Sequence, residues 1–407
     1  MKKTLMALAV GAAFAAPSAF ADVTISGSIN MDLEVLKVGE ASAAGTTNSI
    51  RTSAGQGSLT NTGVATNYSN VTISSTDDIG NGMKVDFAYQ ITAPTASNST
   101  VSNRNSHIGI VSDSWGGVWY GSNENIYERY LYTIDPIDGA AGLGGNLSLL
   151  GNPGAGHVFD AVNGNPAGTG QSAGFYRRDE QSVWYDSPNW NGFTFGAAIG
   201  TQYAKTNNTN PQQWEIGAKY ASPAIPLAVW AAYAQHNDYY GLGSITANTA
   251  NSSLTNPGTS SKDNAWQLGV SYTLGDILLF GLYEQLKYTT DGQTLVGAVD
   301  EYKRGAWNLG LKWNLATGYV GAQYIQAMSA SCTTVAAGCN SDNTGAKTIG
   351  VAYYHTLTKQ SQAYIAAQWL KNDDLGNYKT AGIGSAASGA NFGATYTGVG
   401  IGIKHTF

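Results

Sequence analysis

The chain closes with VGIGIKHTF, residues 399–407, in which side chains alternate strictly between two faces. Val399, Ile401 and Ile403 share one face with the terminal Phe407, because successive side chains of a β-strand point to opposite sides. Small or polar residues fill the other face. An open last strand of this kind promotes aggregation in a soluble protein, whereas a barrel that pairs its last strand with its first has no open edge. The pattern favours a membrane barrel over the alternative, a sandwich strand that ends in Phe.

The other end of the chain predicts export from the cytoplasm. Lys2 and Lys3 precede an apolar stretch from Leu5 to Ala16, and small residues at 19 and 21 follow Pro17. This is the pattern of a secretory signal peptide, and the stretch is too short for a membrane anchor. We therefore expect residues 1–21 to be removed and residues 22–407 to form one domain.

The composition suits a barrel that is apolar outside and polar inside. The chain has 51 Gly, 24 Tyr and 10 Trp, and only 12% of its residues are charged, about half the usual share. No stretch after the signal peptide reaches about 18 consecutive apolar residues, the length of a membrane-spanning helix. The mature chain carries 19 basic and 27 acidic residues, a net charge of −8, which argues against nucleic-acid partners.

Alternating segments recur along the whole mature chain and predict sixteen strands. They lie at roughly 22–35, 67–76, 83–92, 105–113, 118–122, 176–187, 193–204, 212–221, 227–237, 264–274, 277–288, 304–314, 318–329, 346–356, 361–371 and 393–407. Short turns rich in Gly, Pro, Asn and Asp alternate with long polar loops. An even number of strands, with short turns on the periplasmic side and long loops outside, is typical of outer-membrane barrels.

One loop is far longer than the others. Residues 123–175 show no sustained periodicity, and a structureless stretch of this length inside a compact domain is usually functional. A sixteen-stranded barrel encloses a wide aqueous channel, so we expect this third long loop to narrow it.

Several motifs resemble the trimeric general porins of the Gram-negative outer membrane. They are TDDIG (76–80), NRNSHIGI (103–110), QSVWYDSP (181–188), LTKQS (357–361) and GIKHTF (402–407). The resemblance implies a sixteen-stranded antiparallel transmembrane β-barrel with its third loop folded into the lumen. It also implies a homotrimer in contact with outer-membrane lipid and lipopolysaccharide, and a barrel-assembly machinery that recognises Phe407. The expected function is passive diffusion of ions and small hydrophilic solutes, with no cofactor and no enzymatic activity.

The chain departs from its apparent relatives at four positions near the expected constriction. Asn70 and Ser74 stand where many general porins carry basic residues on the second strand, and Ser122 stands where an Arg often follows the fifth strand. Gln90 replaces an acidic residue on the third strand. The ion preference of the family is therefore not carried over to this chain.

The expected constriction sets acids of the loop against bases of the wall, although any one of them could be an ordinary solvated charge. The loop acids are Glu124, Glu128, Asp135, Asp138 and Asp160, and the wall bases are Lys84, Arg104, Arg178 and Lys404. Opposed rows of charge create a field across a pore. Five loop acids and a net negative chain predict a mild preference for cations.

Cys332 and Cys339 lie in a polar loop and are expected to form a local disulfide, since an exported chain meets an oxidising compartment. No set of ligands for a metal ion surrounds them.

Three alternatives remain open: a channel specific for a sugar or organic acid, a barrel enzyme, and an adhesin. A sugar channel needs aromatic side chains along the lumen, and most aromatics are expected to face outward, with Tyr68, Tyr176 and Tyr354 as exceptions. An enzyme needs a nucleophile near a base. His107 and His355 are expected on outward faces, and no Gly-x-Ser-x-Gly motif accompanies any histidine. Polar outer loops such as 238–263 and 37–66 could bind partners, although solvated loops at the cell surface are the simpler explanation.

Overall fold

The computed structural model describes residues 23–67, 69–93, 101–132, 134–137, 142–154, 174–200, 205, 207, 209–238, 242, 258–380, 383 and 392–407. The expected signal peptide, Asp138 and Asp160 lie outside these residues, so their predicted roles stay predictions.

The described part of the chain is almost entirely β-structure. The strands are β1 (Thr24–Val38), β2 (Leu59–Thr66), β3 (Asn70–Gly80), β4 (Met83–Thr92), β5 (Ser106–Ser112), β6 (Gly116–Glu124), β7 (Arg178–Asp186), β8 (Phe193–Gly200), β9 (Gln212–Ala221), β10 (Leu227–Asn237), β11 (Ser260–Leu274), β12 (Ile277–Asp291), β13 (Val299–Leu315), β14 (Gly318–Ala327), β15 (Ser331–Thr334), β16 (Ala346–Thr356), β17 (Ser361–Asn372) and β18 (Thr395–Thr406). One α-helix, α1 (Ile126–Tyr132), and a 3₁₀ turn (Asn146–Ser148) lie between β6 and β7.

These strands form a closed barrel of sixteen, as predicted. Both β2 and β3 pair with β1, so they are two halves of one spanning strand. The short β15 pairs only with the end of β13, while β14 pairs directly with β16. Every pairing is antiparallel, and β18 pairs with β1 to complete the ring. Among the described residues, no α-helix is long and apolar enough to cross a membrane.

The terminal phenylalanine lies where the barrel closes. Gly27 and Phe407 exchange backbone hydrogen bonds of 3.0 and 3.1 Å. A Cβ added to Gly27 would lie 2.7 Å from the Phe407 ring, so the glycine makes room for the aromatic side chain. Residues 399–407 thus form the strand that closes the barrel against β1, with Ile401 and Ile403 exposed on the outer face.

The predicted disulfide joins Cys332 to Cys339 in the seventh long loop. The same loop is tied to the first one, because Ser49 donates its backbone N–H to the carbonyl of Asn340 at 2.9 Å. Asn48 also donates to the carbonyl of Asp342 at 3.0 Å. The disulfide therefore stabilises a loop that contacts its neighbour outside the membrane.

Candidate pore constriction

The third loop, residues 125–177, enters the barrel through a capped helix. Asn125 caps α1, because its Oδ1 accepts the N–H of Glu128 at 2.7 Å, the usual way in which an Asn satisfies the first helical N–H groups. Its Nδ2 donates to the carbonyl of Phe175 at 3.0 Å. One side chain thus fixes both the start of α1 and the return of the loop to the wall.

Six inward-facing glycines on five strands form a bed on which the third loop lies. They are Gly196, Gly217, Gly321, Gly350, Gly398 and Gly400. At each of them an added Cβ would meet loop atoms: for example, the Cβ of Gly217 would lie 2.8 Å from Ile126, and that of Gly398 would lie 2.8 Å from Leu143. The Cβ of Gly321 would collide with the backbone carbonyl of Pro136. The loop therefore packs flat against β8, β9, β14, β16 and β18, as predicted from the family resemblance.

Apolar side chains of the loop complete this packing. Leu131, Ile134, Ile137, Leu143 and Leu149 are all buried within the same cluster as the inward residues of β10 to β18. Burying a side chain of this size stabilises a fold by about 1.5–3 kcal/mol. The described part of the loop thus packs into the lumen along these strands.

A buried ion pair, here called the anchor pair, holds the loop to β12 and β13. Arg304 Nη1 lies 2.6 Å from Glu284 Oε1, and neither side chain has any exposed surface. Glu284 also accepts the hydroxyl of Tyr127 at 2.8 Å and the N–H of Gly151 at 2.9 Å. Arg304 donates to the carbonyl of Leu149 at 2.6 Å. Both charges are therefore paired and hydrogen-bonded to the start and the return of the loop.

A second cation reinforces the same segment from the outer side. The buried Arg51 donates to the carbonyls of Leu375 and Pro153 at 2.8 and 3.2 Å. Tyr302 donates its hydroxyl to the same Pro153 carbonyl at 2.5 Å. Arg51 thereby connects the first, third and eighth loops.

On the other side of the lumen, three predicted residues meet in what we call the eyelet triad: Glu124, Arg104 and Arg178. Arg178 Nη2 lies 3.2 Å and Arg104 Nη2 3.7 Å from Glu124 Oε1. Asn105 orients the group, since its Oδ1 accepts from Arg178 Nε at 3.2 Å. Two cations on one carboxylate leave the triad with a net positive charge.

Glu128 faces the triad from α1. Its carboxylate accepts the hydroxyl of Tyr132 at 2.5 Å. Burial, together with the Glu124 carboxylate, raises the pKa of Glu128 to about 8, although Arg178 and Arg104 oppose the rise. The side chain is therefore mostly protonated at neutral pH and adds no full negative charge.

The remaining predicted residues lie away from the triad. Asp135 caps a turn, with its Oδ1 accepting the N–H of Ile137 at 3.2 Å. Lys84 and Lys404 occupy inward-facing positions of β4 and β18. Both lie near the strand ends, at the short-turn side of the barrel. Gln90, the replaced acid, accepts from Arg104 Nε at 3.3 Å.

Two predictions about side-chain direction were wrong, one for His107 and one for the aromatic residues. His107 faces the lumen and lies 3.2 Å from Asp86, because the exposed neighbours Ile108 and Ile110 take the lipid-facing positions of β5. His355, by contrast, is exposed on the outer face as predicted.

Many more aromatic side chains face inward than was predicted. They include Trp119, Trp184, Trp230, Phe280, Tyr302, Tyr319, Tyr364 and Tyr396.

The sequence reasoning also missed the anchor pair and the glycine bed. Glu284 is a lone charge among the inward Leu, Phe and Tyr side chains of β12, and Arg304 lies between the inward Tyr302 and Ala306 of β13. Charges in these apolar surroundings were the available signal. The inward glycines were a second signal, since a wall without side chains leaves room for a packed loop.

Comparison with known proteins places the whole chain in one group. The family model described as Gram-negative porin matches residues 7–375. Outer membrane porin protein 32 of Delftia acidovorans is 25% identical over 410 residues, covering all of both chains.

Solved structures agree on the fold. The anion-selective porin from Comamonas acidovorans has a TM-score of 0.68 at 21% identity, covering 95% of this chain and 100% of that one. The trimer form of OmpT of Vibrio cholerae has a TM-score of 0.60 at 12% identity, covering 95% and 99% of the two chains.

Proposed function

The chain belongs to the Gram-negative porin family, and from that premise we propose that its lumen passes small anions in preference to small cations. As a porin it is a channel of the outer membrane through which small hydrophilic solutes diffuse passively. The observation that carries the proposed preference is the eyelet triad, in which two arginines share one carboxylate.

Three of the five predicted loop acids lie among the described residues, and two of these, Glu124 and Glu128, contribute little negative charge. Glu124 is neutralised by Arg178 and Arg104, Glu128 is buried with a raised pKa, and Asp135 caps a turn. A narrow path with low-dielectric walls concentrates whatever net charge remains, and at the triad that charge is positive.

Inward lysines at the short-turn side act in the same direction. Lys84, Lys219, Lys312 and Lys404 lie on the inward face near the ends of β4, β9, β13 and β18. None of the ion pairs found among the described residues involves Lys84, Lys219 or Lys312. The similarity in fold to a porin that is itself anion-selective supports the proposal.

Reversal potentials across a salt gradient test this preference. We expect anion selectivity at low ionic strength that weakens between about 0.1 M and about 1 M salt, as the Debye length falls from about 10 to about 3 Å. Arg178→Gln and Arg104→Gln should each shift the potential toward cation selectivity. Lys371→Gln, on the exposed outer face of β17, should leave it unchanged. Cation selectivity in the unmodified channel would overturn the proposal.

The preference should also depend on pH through Glu128. The pKa of Glu128 is about 8, so its carboxyl is neutral at lower pH. At higher pH the carboxylate adds a negative charge beside Glu124, Arg178, Arg104 and Tyr132. Anion selectivity should therefore fall as pH rises through about 8, and Glu128→Gln should abolish that fall. A pH profile identical in the variant would show that another group titrates.

We further propose a homotrimer that binds outer-membrane lipid and lipopolysaccharide, acts as a channel and not as an enzyme, and is assembled by a machinery that reads Phe407. The trimer form of the Vibrio cholerae relative supports the assembly. Crosslinking in native membranes should trap dimers and trimers of the chain. Monomers alone, at crosslinker levels that trap a known trimer in the same membranes, would contradict it.

A further inference from the structure

One indole lies flat on the lumen wall on β6, the strand that also carries Glu124 of the eyelet triad, and two partly exposed charged groups flank it. Trp119 faces inward from β6 and is only partly buried. Its ring occupies the space above Gly109 and Gly117, where added Cβ atoms would collide with it. The wall thus covers one face of the indole, and the exposed part of the ring is turned toward the lumen.

The indole is held rigidly in this position. Its Nε1–H donates to Asp86 Oδ2 at 2.9 Å. Trp184, buried against Ile126 of α1, lies nearly parallel to it, with ring centroids 6.1 Å apart and an interplanar angle of 15°. His107 meets it edge-on, with centroids 6.4 Å apart. A platform fixed on all sides loses little conformational freedom when a solute stacks on it.

Polar groups flank both ends of this platform. Asp86 lies opposite Gly109 in the β4–β5 register, beside the pyrrole end of the indole. Asp186 lies opposite Gly117 in the β6–β7 register, beside the benzene end. Asp186 accepts two hydrogen bonds from Arg129 of α1, at 2.9 and 3.1 Å. These side chains each keep about a third of their surface exposed.

Resting on the proposed function as a diffusion channel, we infer that Trp119 is a weak binding subsite for one pyranose ring of a neutral sugar. A pyranose offers a flat C–H face to an aromatic ring and hydroxyls around its rim. The C–H face of the sugar would stack on the Trp119 ring, while Asp86 and the Arg129–Asp186 pair would hydrogen-bond to its hydroxyls. Few polar groups around an apolar surface are the usual composition of such a site.

The local charge selects the class of solute. Arg129 and Asp186 compensate each other, whereas Asp86 is flanked by His107 and the indole N–H. Lys84 lies two residues from Asp86 on the same face of β4, so the surroundings of the platform carry no net charge, which favours a neutral solute. The inward tyrosines 302, 319, 354, 364 and 396 of the strands are buried, whereas the ring of Trp119 is partly exposed.

Ion-current recordings with added solute test the subsite. Maltotriose should reduce the current through the native channel in a saturable way, whereas sorbitol at equal mass concentration should lower it only as it lowers bulk conductivity. Trp119→Leu keeps apolar bulk without a flat face and should weaken the saturable block about tenfold. Trp266 lies on the outer face of β11, so maltotriose should block the Trp266→Leu channel as it blocks the native one.

Each outcome bears on a separate claim. Saturable block that survives in Trp119→Leu, or its absence in a native channel of normal conductance, overturns the subsite and leaves the porin function intact. Absence of any conductance would instead overturn the proposed function.

Discussion

Removing one charge of the anchor pair is expected to destabilise the barrel more than any other change to the lumen. Glu284→Gln or Arg304→Met leaves a fully buried charge without its partner, and such changes cost about 3–5 kcal/mol. The third loop should also loosen. In Glu284→Gln only one acceptor oxygen remains for Tyr127, Gly151 and Arg304, and in Arg304→Met the carbonyl of Leu149 loses its donor. Denaturant unfolding in detergent and single-channel current noise measure the two effects.

The same two strands supply the matched control. Lys287 and Glu301 form a 2.7 Å ion pair on the outer side of β12 and β13, each about one third exposed. Breaking an exposed pair costs about 0–1 kcal/mol, so Lys287→Met should change little. The double variant Glu284→Leu/Arg304→Met should be milder than the sum of its singles. Equal effects at the buried and exposed pairs would show that the anchor pair does not hold the loop.

Filling the glycine bed should narrow the channel. In Gly321→Val the new side chain collides with the carbonyl of Pro136, and in Gly350→Val it collides with that of Gly144. Overpacking of this kind costs about 1–3 kcal/mol, and a loop displaced from the wall moves farther into the lumen. Single-channel conductance should fall in both variants.

Gly338→Val is the control for this prediction. Its Cβ would meet no atom within 4 Å, and its backbone does not need the left-handed conformation that favours glycine. The single-channel conductance of Gly338→Val should equal that of the native channel. Unchanged or increased conductance in Gly321→Val would mean that the loop does not bound the aqueous path at β14.

The barrel could be predicted from sequence because its signal is local. Alternation of side chains requires only neighbouring residues, and it located all sixteen spanning strands. The division of the second spanning strand into β2, which ends at Thr66, and β3, which begins at Asn70, was not predicted, and neither was the short β15. Asn67 and Ser69 hydrogen-bond to Asn30 of β1 at the division, and β15 pairs only with the end of β13. Alternation carries no information about either set of contacts.

The constriction could be predicted only in part, for a physical reason. Glu124, Arg104 and Arg178 were identified, but their mutual neutralisation depends on pairing across β5, β6 and β7. Glu284 and Arg304 are twenty residues apart and meet only because β12 and β13 are adjacent. His107 was misplaced although Ile108 and Ile110 already fixed its direction.

Single-channel recording in planar bilayers is the most direct test of the central claim, a water-filled channel narrowed by its third loop. We expect stepwise openings whose conductance rises roughly in proportion to salt between about 0.1 M and about 1 M, with the anion preference strongest at the low end. Disrupting the anchor pair should make the open level noisy, and filling the glycine bed should lower it. A purified, folded barrel that gives no conductance steps, or steps unaffected by either change, would contradict the account.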